Sequence, residues 1–305
     1  MVEDITFGLD VWQFRCSLDE LRMVWQLADQ GGFDNLWVCD HFLPLLPNSD
    51  YQVDIFEAWS LVAAMAEATH RVRIGVMVSG NTYRHPAVLA KIAATVDHLS
   101  GGRLEFGIGA AGTANAPDEH AMLGLEFPPT AERIRRLREA CIVIKKLWTE
   151  EVADFHGRYY RLTGAIAKPK PLQKPFPPFW IGGDGEKLTL RVVAEHADVW
   201  NAIGRNPTGQ PGGGIPELAH KLAVLDQHCL AVGRDPKRIK RSVQVHLDRE
   251  EDLDATTRRI EDLLVVGFTD VVLLVPPPNP VPRVELAIHK LLPRFRSSRT
   301  SIPTP

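Results

Sequence analysis

Phe33-Asp34-Asn35-Leu36-Trp37-Val38-Cys39-Asp40-His41 is the stretch of this 305-residue chain from which the fold is read. A strand-like, largely apolar run ends in a carboxylate and an imidazole. In parallel α/β folds, binding and catalysis sit at the carboxyl ends of strands, so a polar pair at that position points to chemistry. The competing reading of Asp40 and His41 is a loop in which the carboxylate caps a helix and the imidazole is solvated.

Working outward, short β-branched or aromatic runs alternate with longer segments of helical period. Strands are expected over 5–11, 34–39, 72–78, 103–108, 179–181, 199–202, 239–245 and 270–275. Helices are expected over 18–30, 55–68, 86–99, 131–148, 186–196, 216–232, 253–265 and 281–292. Pro86 suits a first helical turn, and Gly31-Gly32 and Gly101-Gly102 suit helix ends. Eight βα units argue for an α/β fold of the closed (β/α)8 TIM type.

The spacing breaks in three places. Residues 151–178, between the fourth helix and the fifth strand, read as an insertion. It comprises a short polar hairpin turning at Gly157 and the Pro-rich stretch Lys168-Pro169-Lys170-Pro171-Leu172-Gln173-Lys174-Pro175, and is expected to act as a lid or partner surface at the barrel mouth. Residues 206–216, with Gly212-Gly213-Gly214, are expected to be mobile, and the tail 296–305 to be frayed. Residues 1–295 read as one domain.

Composition narrows the function. With 45% hydrophobic and 24% charged residues, the chain has the make-up of a soluble globular protein. A net charge of -3, with no concentrated basic run, speaks against nucleic acid or an anionic membrane as partner. Cys16, Cys39, Cys141 and Cys229 are too scattered for a disulfide framework or a zinc knuckle, and are expected as reduced thiols. The acidic start, Met1-Val2-Glu3-Asp4, lacks the features of a signal peptide, and no apolar run is long enough to span a bilayer. A cytoplasmic location is expected. Neither a metal-ligating spacing nor a Gly-x-Ser-x-Gly elbow occurs, so no metal site and no hydrolase site are expected.

Two glycine clusters carry a phosphate signal. Gly182-Gly183-Asp184-Gly185 precedes a helical pattern, and its amides are expected to approach a phosphate at the helix start, with Lys187 or Arg191 adding positive charge. Asp184 itself is expected to cap the helix. Gly107-Ile108-Gly109-Ala110-Ala111-Gly112 matches a dinucleotide fingerprint, but Pro117 and Pro128-Pro129 hold a loop open until about Ala131 where that motif needs a helix at once. Gly109 is therefore read as permitting a tight loop against a cofactor.

Several blocks together resemble the luciferase-like monooxygenase superfamily, and more narrowly its oxidoreductases that use the deazaflavin coenzyme F420. They are Trp37-Val38-Cys39-Asp40-His41-Phe42, Tyr83-Arg84-His85-Pro86-Ala87-Val88-Leu89-Ala90-Lys91, Asp97-His98-Leu99-Ser100-Gly101-Gly102-Arg103-Leu104, Pro178-Phe179-Trp180-Ile181-Gly182-Gly183, and the helix from Lys187 to Asp198. The resemblance covers about residues 7–275. It implies F420 as cofactor, with FMN as the alternative, a small-molecule substrate, and a homodimer. It also implies a bulge in the third strand within Gly75-Val76-Met77-Val78, often with a non-proline cis peptide. Val76, Met77 and the following Ser79 would then line the cofactor, with Asp40 bonding its ring system.

For His41 the resemblance implies a general acid or base beside the reacting carbon, a task that suits an imidazole. One departure stands out. Relatives often place a carboxylate or an aromatic residue after the glycines of the fourth strand, where Ala110-Ala111-Gly112-Thr113-Ala114-Asn115-Ala116 offers small groups. A glutamate serving there as proton donor, as in some relatives, has no match unless Asp118 or Glu119 reaches in; otherwise Glu119-His120 reads as part of a structural stretch further along. The implied function is hydride transfer between F420 and a small organic substrate. An FMN-dependent two-component monooxygenase and a non-catalytic flavin- or deazaflavin-binding protein are the alternatives.

Overall fold

The computed structural model describes residues 5–44, 51–203, 214–247 and 253–296. Its strands are β1 (Thr6–Val11), β2 (Asn35–Val38), β3 (Arg73–Val76), β4 (Ser79–Gly80), β5 (Leu104–Gly109), β6 (Ala153–His156), β7 (Arg161–Ala165), β8 (Phe179–Gly182), β9 (Val199–Ala202), β10 (Lys240–His246) and β11 (Asp270–Val275). The helices are α1 (Leu18–Gln30), α2 (Ala58–Ala68), α3 (Pro86–Leu99), α4 (Ala116–Met122), α5 (Thr130–Thr149), α6 (Thr189–His196), α7 (Ile215–Ala231), α8 (Leu253–Val266), α9 (Val281–Leu286) and α10 (Leu292–Arg296).

Parallel pairing runs β1, β2, β3, β5, β8, β9, β10, β11 and back to β1, so eight strands close a barrel among the described residues. Short β4 carries on from β3 past a break and pairs with the upper part of β5. The break holds a cis peptide between Met77 and Val78, inside the segment where the resemblance placed it.

Alternation of side chains along each strand builds two cores. Phe7, Leu9 and Val11 belong to the cluster shared with the helices. Trp37, Met77, Trp180, Val199 and Val272 fill the barrel itself. The rings of Trp37 and Trp180 meet edge to face, with centroids 4.7 Å apart. Two indoles fit because β3 gives way: a Cβ on Gly75 would lie 2.5 Å from Cζ3 of Trp37. Below them Glu105 accepts from Nε1 of Trp180 at 2.5 Å and pairs with Arg73, closing the amino end of the barrel.

Helix starts follow their local chemistry. Ser17 and Glu20 form a reciprocal capping box at α1. The second helix begins at Ala58 rather than at 55, because the Glu57 carboxylate accepts from the amides of Trp59 and Ser60 and sets the first turn there. His85 caps α3, accepting from the amide of Ala87, with Pro86 in the first turn. The last expected helix is divided: α9 passes through a π-helical turn, Ala287–Leu291, into α10. Residues 116–122, expected as loop, form α4.

The insertion splits into two parts with different places. Strands β6 and β7 pair as an antiparallel hairpin. Its turn is held by Glu139 of α5, which accepts from the amides of Arg158, Tyr159 and Tyr160. Tyr160 then reaches the mouth, where its hydroxyl accepts from Nδ2 of Asn81 at 3.1 Å. The Pro-rich part lies at the opposite end, since Gln173 bonds Asp97, Arg73 and the carbonyl of Leu104, at the starts of β3 and β5. Only the hairpin turn therefore stands where a lid was expected.

The expected mobile stretch falls largely outside the described residues, as does the tail beyond Arg296. Among the described residues no helix is long and apolar enough to cross a membrane. Cys39, Cys141 and Cys229 are buried thiols, and Cys16 is half-buried.

Candidate active site

His41 leaves the carboxyl end of β2 and meets Glu119, one of the two acids that the sequence left as able to reach in. Its Nδ1 lies 3.0 Å from Oε2 of Glu119, on α4. Glu119 therefore does not belong to a remote structural stretch. The signal for α4 was present, because Pro117-Asp118-Glu119 carries a proline and two acids in a first helical turn.

Around Glu119 every partner is a donor or is able to be one. Oε1 accepts from the amides of Phe42 at 2.5 Å and Leu43 at 3.1 Å. Oε2 accepts from the hydroxyl of Tyr83 and faces Nδ1 of His41. Burial alone would push this carboxyl up, but the hydrogen bonds of His41, Tyr83 and the Phe42 amide outweigh it and hold the group below the usual range. Tyr83 moves the opposite way, since burial and then the Glu119 carboxylate raise its phenol.

Tyr83 is fixed from two sides. Its ring stacks on His120 at 4.8 Å and meets Phe42 edge-on at 5.1 Å. His120 is itself locked, with Nδ1 2.6 Å from the carbonyl of Ala116 and Nε2 2.7 Å from Oγ1 of Thr82. A carbonyl only accepts, so Nδ1 of His120 carries the proton and Nε2 accepts from Thr82.

Asp40 is buried against one guanidinium and one backbone amide. Oδ2 accepts from Arg84 at 2.7 Å and from the amide of Gly80 at 3.0 Å, and Oδ1 accepts from Arg84 at 3.1 Å. The same guanidinium reaches Glu57 at 2.5 Å. Both oxygens of Asp40 thus tie β2 to the β4 backbone and to the loop before α3.

Of the expected lining residues on the third strand, alternation corrects two. Val76 faces the helices, and Ser79 turns its hydroxyl outward to accept from Nε1 of Trp59 at 3.0 Å. Met77 faces the barrel, joined by Val78, which was not singled out. Val78 stands against two of the predicted glycines: a Cβ would meet its Cγ2 at 2.7 Å on Gly109 and at 3.2 Å on Gly182. These positions are glycine because Val78 needs the space.

On the far rim the amide of Gly183 is taken by the carbonyl of Asn201, and the carbonyl of Gly183 accepts from Nε1 of Trp200. Asp184 does not cap α6, which starts five residues later with no side-chain cap. Its Oδ1 accepts from the amide of Ile203 at 3.4 Å, and burial pushes its carboxyl up. Gly185 is exposed and its carbonyl accepts from Leu190, while Arg191 turns to Glu195.

Residues 8–274 match the family model described as luciferase-like monooxygenase. The chain belongs to the luciferase-like monooxygenase family. It is 33% identical over 232 residues to a protein of Amycolatopsis mediterranei (strain U-32) named F420-dependent glucose-6-phosphate dehydrogenase, covering 74% of this chain and 63% of that one. A protein of the same name from Intrasporangium calvum is 38% identical over 240 residues, covering 76% and 66%. The chain thus spans just under two thirds of the length of these relatives. Among solved structures, an F420-dependent secondary alcohol dehydrogenase in complex with an F420-acetone adduct superposes with a TM-score of 0.81 at 18% identity, over 96% of this chain and 99% of that one, a likeness of fold.

Within this luciferase-like barrel, two of the buried polar atoms that have no partner among the described residues lie just past β4 and β5 at the mouth. They are Oδ1 of Asn81 and Oγ1 of Thr113, respectively. Leaving such atoms unpaired costs about 1–3 kcal/mol each, so a ligand edge that paired with them would be favoured there. An acceptor and a hydroxyl on neighbouring loops fit the alternating donors and acceptors on the pyrimidine edge shared by flavins and deazaflavins. No local motif marks either residue. The polar atoms of the site and the cofactor class agree in chemistry.

Proposed function

We propose that this protein is an oxidoreductase that transfers a hydride between coenzyme F420 and a hydroxyl-bearing carbon of a small substrate, with His41 handling the hydroxyl proton. The observation that carries the reading is the imidazole of His41 at the barrel mouth, held through one nitrogen by Glu119. The names of the relatives support F420 and place a sugar phosphate, glucose 6-phosphate, first among substrates to try.

F420, when bound, supplies the carbon that accepts or gives the hydride. The chain's own residues do the rest. Asn81 and Thr113 orient the ring edge, Met77 and Val78 back it, and the hairpin turn at Tyr160 walls the rim. His41 takes the proton from the substrate hydroxyl as the carbon loses hydride, or returns it in the reverse direction. Gly182 to Gly185 lie on the opposite rim, where the anionic tail of the cofactor would run.

Side-by-side titration of the purified protein with F420 and FMN at one salt concentration tests the cofactor. Saturable F420 binding, followed by bleaching of its absorbance on adding glucose 6-phosphate or another hydroxyl compound, is expected. Tight FMN binding with no response to F420 would overturn the reading in favour of an oxygen-activating flavin enzyme.

A further inference from the structure

Which nitrogen of His41 carries the proton decides whether the imidazole removes a proton or delivers one, and the surroundings of Glu119 settle that point. Oε1 is saturated by the backbone amides of Phe42 and Leu43, donors whose protons are fixed. Oε2 accepts from Tyr83 and meets Nδ1 of His41 at 3.0 Å. Tyr83 stands 3.4 Å from the same Nδ1, too long for a good bond to nitrogen, so its proton goes to the carboxylate. An ionised carboxylate only accepts, hence the neutral imidazole must carry its proton on Nδ1. Nε2, across the ring, keeps its lone pair, and among the described residues nothing bonds it.

We propose that Glu119 is a positioning residue that fixes His41 as the Nδ1–H tautomer and so sets the site as a proton acceptor, poised for oxidising an alcohol. This rests on the reading of the barrel mouth as a hydride-transfer site. The balance is complete: the substrate C–H bond breaks with its electron pair passing to F420, the O–H bond breaks with its proton passing to Nε2, and the carbon becomes a carbonyl. The carboxylate that the loop over 110–116 lacks is thereby supplied from behind the imidazole, by α4. In that place it orients the base without touching substrate.

Glu119→Gln inverts the arrangement. The amide oxygen can still accept from Phe42 and Leu43, which leaves the NH2 group facing Tyr83 and His41. That group donates to Nδ1 and drives the ring proton to Nε2, removing the base from the mouth. With F420 and substrate, kcat is expected to fall about 10²- to 10⁴-fold with KM changed less than about threefold. Glu119→Asp, which keeps a carboxylate, is expected to recover part of the loss.

The deciding measurement needs no cofactor, and its first arm needs no variant. Long-range ¹H–¹⁵N correlation on the cofactor-free protein, with His41 assigned through its backbone, reports which ring nitrogen is protonated. Protonated Nδ1 with bare Nε2 is the expected result, reversed in Glu119→Gln. Protonated Nε2 in the unaltered protein, or an unchanged tautomer in a folded Glu119→Gln, would overturn the assignment. Because this readout is independent of F420, failure of the cofactor reading alone would appear as the expected tautomer with no F420 response.

Discussion

Nδ1 of His41 and Oε2 of Glu119 lie 3.0 Å apart although 78 positions separate them in the chain. The contact joins the end of β2 to a seven-residue helix after β5, so the two sides of the barrel mouth share one proton-handling unit. Tyr83 closes that unit from the loop before α3, and the stack on His120 holds it there.

His41→Ala is expected to reduce turnover about 10²- to 10⁴-fold. Affinity for F420 should change no more than a few fold, because the ring-edge partners Asn81 and Thr113 are untouched. Steady-state kinetics and a binding titration on the same preparation check both halves, and turnover within a few fold of the unaltered protein would remove His41 from the chemistry.

Asn81→Ala is expected to weaken F420 binding about tenfold, since one partner for the ring edge is lost. The variant also loses the bond to Tyr160. Tyr160→Phe separates the two effects, because it breaks that bond and leaves Asn81 in place. Equal losses in both variants would show that Asn81 serves the hairpin and not the ligand.

Asp40→Ala is expected to destabilise the fold by about 3 kcal/mol, because it leaves the largely buried Arg84 without its bidentate partner. Equilibrium denaturation in urea measures this. A change below about 1 kcal/mol would mean that Glu57 alone is enough for the guanidinium.

Asp10 points to an unusual dependence on pH. Burial raises its carboxyl from 3.8 to about 7, and Oδ1 has no partner among the described residues. The folded state therefore holds a proton that the unfolded chain has already released, and stability contributed at low pH is lost as pH rises from about 4 to about 7. A shift of this size corresponds to something on the order of 4 kcal/mol. Asp10→Asn should accordingly raise the melting temperature at pH 8 far more than at pH 5, by calorimetry; equal effects at both would refute the buried-proton account.

Gly75→Ala is expected to cost about 1–3 kcal/mol or more. Its Cβ would fall 2.3 Å from the carbonyl oxygen of Glu105, a backbone atom unable to move aside. Gly112→Ala, whose Cβ meets nothing within 4 Å, should stay within about 0.5 kcal/mol. Thermal denaturation of the pair checks the contrast.

The barrel was legible in the chain because its strands are local. Each of the eight runs is a short apolar segment bounded by helical period, and the observed strands fall within a residue or two of the expected ones, apart from the divided third. His41 was legible for the same reason, as a polar residue where a strand ends. What the sequence left open depended on contacts between distant segments. Glu119 looked like loop because three prolines surround it, and only closure of the barrel brings α4 over β2. Asp184 looked like a cap because it precedes a helical pattern, but packing against β9 took its carboxylate to Ile203. Ser79 and Val76 looked like lining, and the pleat of a strand with a break in it turned them outward. The sequence by itself determined the order of elements and the place of the imidazole, since both follow from local periodicity. The tertiary structure alone decided which carboxylate meets that imidazole and which side chains enter the barrel, because those outcomes depend on through-space distances that no local pattern encodes.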